Sequence, residues 1–484
     1  MDYGYSLFPC QLNDFKASLI MDVAGKKVTV LGGGKSGVAA ALLLQQLGAT
    51  VLLSEHGALS SEAMQRLQAA HIAYEANGHS EQIYSADFCV LSPGIPPTAP
   101  VVQQMEAHSI PLYSEIEVAS CFCKARMVGI TGTDGKTTTS TLIHTLCEAD
   151  GKRHGYRSYS VGNSGIPFSS MVLAMQPNDV AVIELSSYQL ERSISFHPQV
   201  SLITNITPDH LDRYGQNMQR YAEAKYRIFM NQQAGDTFIY NQDDSMLQAA
   251  FGASQIAVPC RSVAFGLEPL TNVQLDKRRV LVNGNMVVVR QNDGALQPIV
   301  AVDEVLNRAF RGKHNLSNVL AAVAVGEALG IGSEVMRQAL TAFGGVEHRQ
   351  ELVATIDGVE WINDSKATNV NAMRQALEAV PAPMILIAGG RDKGNNYATV
   401  SHLIERKVCL LIATGESREK LASFFKGKVP VIAVPTIDEA VAIAHQQAKA
   451  GESVLFSPAC ASFDMFNNFE ERGAFFKQCV RQVL

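Results

Sequence analysis

Several things are missing from this sequence. No apolar run approaches the roughly 20 residues that cross a bilayer, so no helical membrane span is expected. The nine cysteines are scattered and odd in number, with no C-x-x-C pair. Cys121-Phe-Cys123 is too close a pair to make a zinc site alone. Such usage suits a reducing cytosol with Cys as small core residues, not a disulfide framework. There is no excess of positive charge: the formal net charge is −6, which gives no electrostatic reason to bind nucleic acid or anionic lipid. The stretch Met1-Asp-Tyr-Gly-Tyr-Ser-Leu-Phe8 lacks the basic and apolar regions of a secretory signal, so a cytoplasmic location is expected. Heptads, low-complexity segments and a sequence repeat are also lacking. What remains is 484 residues, 47% hydrophobic and 18% charged, enough for about three domains with sizeable cores.

One stretch organises the rest, Gly129-Ile-Thr-Gly-Thr-Asp-Gly-Lys-Thr-Thr-Thr139. The apolar Arg126–Ile130 before it reads as a buried strand, and Thr139–Cys147 after it has helical spacing. A Gly-rich turn between strand and helix aims backbone N–H groups and the positive end of the helix dipole at one spot. Lys136 adds a full positive charge, and the Thr137 hydroxyl can reach a magnesium ion. This is a cradle for a nucleoside triphosphate. The usual pattern G-x-x-x-x-G-K-[ST] asks for Gly at 130, where Ile stands; the glycines fall at 129, 132 and 135.

Before the cradle, Lys26–Leu31 reads as a strand, followed by Gly32-Gly-Gly-Lys-Ser-Gly37, a helix over 38–47, and a second strand closed by Glu55. That is the layout of a dinucleotide-type fold: a diphosphate can sit on the helix start, without saying which molecule carries it. A further strand begins at Asp87 and ends in the Pro93-Gly94 turn. After the cradle, Val180–Glu184 is a strand closed by an acid, either a magnesium ligand beside the cradle or a salt-bridged or capping Glu. Val200–Asn205 is another strand. Thr207-Pro-Asp-His-Leu-Asp212 predicts a helix with Thr207 as N-cap and His210 in its first turn, facing the strand ends. Lys225, in a helix over 221–229, reads by itself as a solvated Lys paired with Glu. Short β-prone pieces fill 250–310, with Asn283-Gly284 as a hairpin turn. Asn315 and Asn318 share one face at the start of an Ala-rich helix and can reach a base edge or cap the helix.

A third unit begins near 346. Strands at 359–363, 383–388, 408–413, 429–434 and 453–456 alternate with helices such as 436–450, so this too is a mostly parallel α/β domain. The first strand delivers Asp364-Ser-Lys-Ala-Thr-Asn369 into a loop where Asp, Lys and Thr can meet a phosphate or carboxylate. The expected division is 1–124, 125–345 and 346–484, with 1–25 as a possible extension.

These residues resemble one family. Thr131–Thr138, Glu184–Leu190, Asn205–His210, Gly312–Asn315, His348-Arg349 and Asn363–Asn369 are similar to the motifs of the ATP-dependent Mur ligases. The last of these, with Leu455–Phe463, is similar to the members that add D-glutamate. The resemblance covers about residues 26–484. It implies a Rossmann-like first domain, a central P-loop ATPase-like domain and a Rossmann-like third domain.

The resemblance also implies roles. Gly34, Lys35, Ser36 and Gly37 would face the diphosphate of UDP-MurNAc-L-alanine, with Pro93, Gly94 and Asn163 beside the substrate. The family usually has a smaller or hydroxylated pair at Lys35-Ser36, and often a basic or hydroxylated residue near Glu55-His56. ATP would meet Thr131, Gly132, Thr133, Asp134, Gly135, Lys136, Thr137, Thr138, Asn315, Arg349 and Asp364. Two magnesium sites are implied, on Thr137, Glu184, His210 and Lys225. Lys225 would be carbamylated by carbon dioxide (N6-carboxylysine), which turns a cation into an anionic oxygen donor that hard magnesium prefers. Lys136, His210 and Lys225 are the implied catalytic residues. D-glutamate would be held by Lys366, Thr368, Lys393, Ser462 and Phe463, with Phe469 beside them, although Lys393 also reads as a surface Lys. The implied partners are small molecules, with no nucleic acid, no membrane and a monomeric chain. A different Mur ligase or a folate polyglutamate ligase, a nicotinamide-dependent dehydrogenase, a non-catalytic nucleotide switch and, fitting worst, a structural scaffold are the alternatives.

Overall fold

The computed structural model describes residues 22–252, 255–267, 278–306, 310–392 and 394–483. Lys393 and most of the possible N-terminal extension lie outside the described residues. The end of that extension is not separate from the first domain: Val23 is buried in its core, and Gly25 N donates to Gly48 O at 2.8 Å.

The first sheet contains β1 (Lys27–Leu31), β2 (Thr50–Ser54), β3 (Ala73–Glu75), β4 (Phe88–Leu91) and β5 (Leu112–Ser114). Its order is β3-β2-β1-β4-β5, all parallel, the arrangement of a Rossmann half. Helix α1 (Lys35–Gln46) follows β1. Its Val38, Ala40, Ala41 and Leu44 pack on Val28, Val30 and Leu53. Gly37 allows that approach, because a Cβ there would lie 1.9 Å from Gly32 O.

The second sheet has nine strands: β6 (Arg126–Thr131), β7 (Ser158–Gly162), β8 (Val180–Glu184), β9 (Val200–Ile203), β10 (Thr237–Asn241), β11 (Arg261–Gly266), β12 (Arg278–Asn283), β13 (Met286–Arg290) and β14 (Leu296–Ala301). Their order is β14-β13-β12-β11-β10-β9-β6-β8-β7. Pairing is parallel from β7 to β12, and β12–β13 is an antiparallel hairpin. The hairpin turn lies one residue later than expected. Asn283 still pairs with Met286, so the tip is Gly284-Asn285, with Gly284 at φ +60°. A Gly in the first tip position matches the strand twist. Helices α2 (Lys136–His154), α3 (Met218–Tyr226) and α4 (Lys313–Leu329) belong to this part of the chain.

The third sheet contains β15 (Glu351–Ile356), β16 (Val359–Asn363), β17 (Met384–Gly389), β18 (Val408–Thr414), β19 (Val431–Ala433) and β20 (Ser453–Phe456), followed by helix α5 (Phe469–Gln482). The order is β15-β16-β20-β17-β18-β19, parallel except for the edge strand β15. Trp361, the one tryptophan of the chain, is buried on β16. The described residues are thus α/β with three sheets. The first two sheets fall in one compact unit and the third in another.

A buried carboxylate joins the first two sheets. Glu117, on the short helix Glu115–Ser120, accepts from the successive amides of Ile194, Ser195 and Phe196 at 2.9, 2.7 and 3.1 Å, and from Ser195 Oγ at 2.5 Å. Three amides and a hydroxyl replace its hydration shell, so the charge can sit at 1% exposure. Glu117→Ala leaves those donors buried without an acceptor. It should lower the free energy of unfolding by about 3 kcal/mol, read by urea denaturation with circular dichroism. A loss below about 0.5 kcal/mol would show that the seam does not depend on this carboxylate.

Candidate functional site

β6 ends at Thr131 and α2 begins at Lys136, so the loop between them is four residues long. Gly132 has φ +150°, and a Cβ on it would lie 1.9 Å from Thr204 Oγ1. Gly135 has φ +82°, and a Cβ there would lie 2.5 Å from Asn318 Oδ1. These two positions require glycine.

The residues behind the loop hold it by its own polar groups. Asp134 N donates to Asn205 Oδ1 at 2.8 Å, and Asn205 Nδ2 donates back to Asp134 O at 3.0 Å. Thr204 Oγ1 donates to the same carbonyl at 2.7 Å. Thr133 Oγ1 lies 3.1 Å from Thr207 O and from Tyr221 Oη, and accepts from Thr207 N at 3.0 Å. Thr139 Oγ1 donates to Asn318 Oδ1 at 3.1 Å. Thr204, Asn205, Tyr221 and Asn318 are therefore the loop's supports. Sequence reasoning gave the first three no role; the only signal was that they sit inside or beside motif stretches.

Two lysines meet at one oxygen. Lys136 Nζ donates to Gly132 O at 3.0 Å and to Thr133 O at 2.8 Å. Lys225 Nζ, from α3, donates to the same Gly132 O at 2.7 Å. Lys225 is 1% exposed and its Nζ lies 4.5 Å from the centre of the Tyr221 ring. The solvated reading of Lys225 is therefore wrong. Burial, and then the nearby charge of Lys136, push its amine well below the ordinary lysine range.

The expected helix at 207–212 does not form. Thr207 is held by Thr133 rather than capping a helix, and His210 has φ +51°, a left-handed conformation that interrupts helical continuation. His210 is exposed, 3.4 Å from Asp209 Oδ2, with its ring centre 5.3 Å from that of Tyr188. It lies three residues beyond the Thr207 contact with the loop.

On the neighbouring strand, Glu184 pairs in register with Ile130 and is buried. Its Oε1 accepts from Asn163 Nδ2 at 2.9 Å, and its main-chain oxygen accepts from Asn163 N at 2.8 Å. Glu184 Oε2 and Thr138 Oγ1 are buried without a hydrogen-bond partner. An orphaned carboxylate oxygen fits a magnesium ion, which takes oxygen donors. Thr137, at the start of α2, has the hydroxyl suited to the same ion.

In the first sheet, Gly34 and Lys35 are exposed at the start of α1, Ser36 is half-buried and Gly37 is buried. Glu55 does not face outward as a free acid. Its Oε2 accepts from Gly33 N at 2.6 Å and its Oε1 from Gly57 N at 2.9 Å. Burial pushes its carboxyl up, but those two amides together with His79 and His56 outweigh it, and the net shift is downward. Pro93 O accepts from Arg213 Nη1 at 3.1 Å, and Gly94 beside it is exposed.

In the other unit, Asp364 closes β16. Its Oδ1 accepts from Gln350 N at 3.2 Å and its Oδ2 from Ser457 Oγ at 2.8 Å. Burial pushes its carboxyl up to about 7 against the opposing effects of Ser457 and Arg349. Lys366 Nζ lies 5.4 Å from the centre of the Phe469 ring. Thr368 is half-buried, Ser462 is buried and Phe463 is 58% exposed. Asn315 lies in the first turn of α4, where its Nδ2 donates to Arg311 O at 2.7 Å. Arg472 was not anticipated. Buried in α5, it donates to Ser365 Oγ, Ser365 O and Cys460 O at 3.0, 2.7 and 2.9 Å, joining the 364–369 and 457–463 loops. Among the described residues, Glu347, His348 and Glu351 cluster tightly enough to suggest a metal site, but Lys477 Nζ bonds both carboxylates.

The chain is similar to known proteins along most of its length. The chain matches the description "MurD N-terminal domain" over residues 27–101, "Mur ligase middle domain" over 130–326 and "Mur ligase, glutamate ligase domain" over 348–460. It is 59% identical to the UDP-N-acetylmuramoylalanine–D-glutamate ligase of Pelodictyon phaeoclathratiforme, covering 96% of this chain and 99% of that protein. The protein of the same name from Chlorobaculum parvum is 55% identical, over 95% of this chain and 98% of that one. Among solved structures, the UDP-N-acetylmuramate-alanine ligase MurC of Thermotoga maritima aligns with a TM-score of 0.61 at 19% identity, over 95% of this chain and all of that one, a likeness of fold. The MurF ligase of Thermotoga maritima in complex with ADP gives 0.58 at 14% identity, over 96% and 97% of the two chains. With its cradle, its paired lysines and these matches along nearly its full length, the chain belongs to the Mur ligase family, on the branch of the UDP-N-acetylmuramoylalanine–D-glutamate ligases.

Proposed function

We propose that this protein is an ATP-dependent ligase that joins D-glutamate to UDP-N-acetylmuramoyl-L-alanine, as a cytoplasmic monomer serving peptidoglycan precursor synthesis. The observation that carries the reading is the loop at 132–135 with Lys136 and the buried Lys225 on one carbonyl. A dehydrogenase is disfavoured, because both oxygens of Glu55 are engaged by amides and not offered to a ribose.

Lys136 would contact the β- and γ-phosphates of ATP, in a cradle formed by Thr131 to Thr138. Asn315, Arg349 and Asp364 would supply further ATP contacts. Gly34, Lys35, Ser36 and Gly37 would face the diphosphate of the UDP-linked substrate, with Pro93, Gly94 and Asn163 beside its remainder. Lys366, Thr368, Lys393 and Ser462 offer the cations and hydroxyls that a small dicarboxylate needs, flanked by Phe463 and Phe469.

Magnesium, when bound, offsets clustered phosphate charge and polarises the phosphoryl group. Thr137 and Glu184 would hold one ion; His210 and a modified Lys225 would serve a second. Carbamylation needs a neutral amine, and burial favours that form at Lys225 by pushing its amine well below the ordinary lysine range. Its Nζ attacks carbon dioxide, a C–N bond forms, one C=O bond becomes an anionic oxygen, and a proton leaves the nitrogen.

In the reaction, the alanyl carboxylate attacks the γ-phosphorus and ADP departs, leaving an acyl phosphate. Lys136 stabilises the charge that develops on the phosphoryl oxygens. The amine of D-glutamate then attacks the acyl carbon, loses a proton and expels phosphate, giving an amide.

Three outcomes follow. Mass spectrometry should find amide product from UDP-MurNAc-L-alanine and ATP with D-glutamate, but not with L-lysine, meso-diaminopimelate or L-alanine; product from one of those would assign a different acceptor. Lys136→Ala should slow ADP release that depends on both other substrates by about a hundred- to a thousandfold, and near-full turnover would remove the cradle from the mechanism. Lys225→Met should be inactive, yet more stable than the unmodified protein in carbon dioxide-free buffer at pH 7. The folded amine titrates below its unfolded value of 10.5, so the unfolded chain binds a proton there that the folded chain does not. That cost is absent above about pH 10.5, grows as pH falls, and is complete below the folded value. Urea unfolding at several pH values should show the slope in the parent and its loss in the variant. An unchanged slope would place the titration elsewhere.

A further inference from the structure

Arg213 lies three residues beyond His210, and its side chain is 9% exposed. Its guanidinium meets three residues on two separate elements. Nε and Nη2 donate to Glu191 Oε2 at 3.2 and 2.7 Å, and Nη1 donates to Pro93 O at 3.1 Å. Its carbon sits 4.0 Å from the centre of the Tyr188 ring. Its own N–H donates to His210 O at 3.1 Å, closing the turn that carries that histidine.

The partners come from different places. Pro93 follows β4 of the first sheet. Tyr188 and Glu191 lie on the helical turn Ser187–Glu191, just after Glu184 on β8. Tyr188 continues into a ring series, with Tyr214 at 6.3 Å and Tyr221 at 5.3 Å beyond it, which ends beside Lys225. The two sheets are already joined elsewhere by Glu117 and by the Arg192–Glu106 pair at 2.9 Å. The Arg213–Pro93 bond is therefore not needed merely to hold them together. It sits at the carboxyl ends of the strands, where ligands of parallel α/β sheets bind.

We propose that Arg213 is a positioning residue. It fixes the Pro93–Gly94 loop against the Tyr188–His210 segment and so sets where the alanyl end of the UDP-linked substrate lies relative to the phosphate cradle. This rests on the reading that the first sheet holds that substrate. A fork is required for the role: one planar group with several donors can serve the carbonyl and the carboxylate together while stacking on a ring, whereas the single ammonium of a lysine cannot stand in for it.

The test uses the full chain with steady-state kinetics in UDP-MurNAc-L-alanine, ATP and D-glutamate, each varied in turn, and compares Arg213→Met with Arg213→Lys. Both variants should raise the KM for UDP-MurNAc-L-alanine about tenfold, the scale of one lost charge-assisted hydrogen bond. The KM values for ATP and D-glutamate should stay within about twofold. Thermal melting accompanies each variant. If the Met variant unfolds, the Lys variant, which keeps the charge, carries the test. The assignment is overturned if the KM for UDP-MurNAc-L-alanine does not move, if all three KM values rise together, or if Lys restores parent behaviour. Absence of amide product from the parent would instead overturn the reading of the function, and this assignment with it.

Discussion

The carbonyl of Gly132 is the point on which the site turns. One oxygen accepts from both Lys136 and Lys225. Burial penalises the inner ammonium most, and repulsion from the second ammonium on the same acceptor adds to it. The Lys225 amine is therefore held well below the ordinary lysine range. A single backbone oxygen thus holds two chemically alike side chains in different surroundings, one half-buried and one buried. The arrangement requires Gly at 132, since no other residue fits against Thr204 in that conformation.

The supports of the loop extend this control outward. Thr133, held between Thr207 and Tyr221, links the loop to α3 and to the turn that carries His210. Asn205 and Thr204 hold the other side through Asp134. The residues proposed for chemistry are thus mounted on one hydrogen-bonded frame in the first unit. In the other unit, Arg472 does comparable work by tying two loops to one buried guanidinium.

Much of this was legible in the sequence. Val180–Glu184, Val359–Asn363 and Ser453–Phe456 are strands where their apolar runs end, because a strand buried on both faces has a near-continuous hydrophobic signature. The edge strand β15 gave no such signal, since its residues are only partly buried. Thr207-Pro-Asp-His carried good local helix chemistry and failed because Thr133 engages the main-chain N–H and C=O of Thr207, leaving its hydroxyl without a partner, and His210 turns left-handed. The burial of Lys225 was invisible to helix patterning. A lysine in an amphipathic stretch looks solvated unless the acceptor that meets it is known, and Gly132 lies 93 residues away. The family motifs located the right segments; they did not reveal which side chains bond to one another.

Trp361 has a consequence of another kind. It is the one indole in the chain, it sits on β16, and it is buried two residues before the strand's last position, Asn363. Ultraviolet emission excited at the red edge of protein absorption therefore comes from the third sheet alone, and the other two are silent at that wavelength. The molecule carries a built-in optical label that watches one of its two compact units melt without the other.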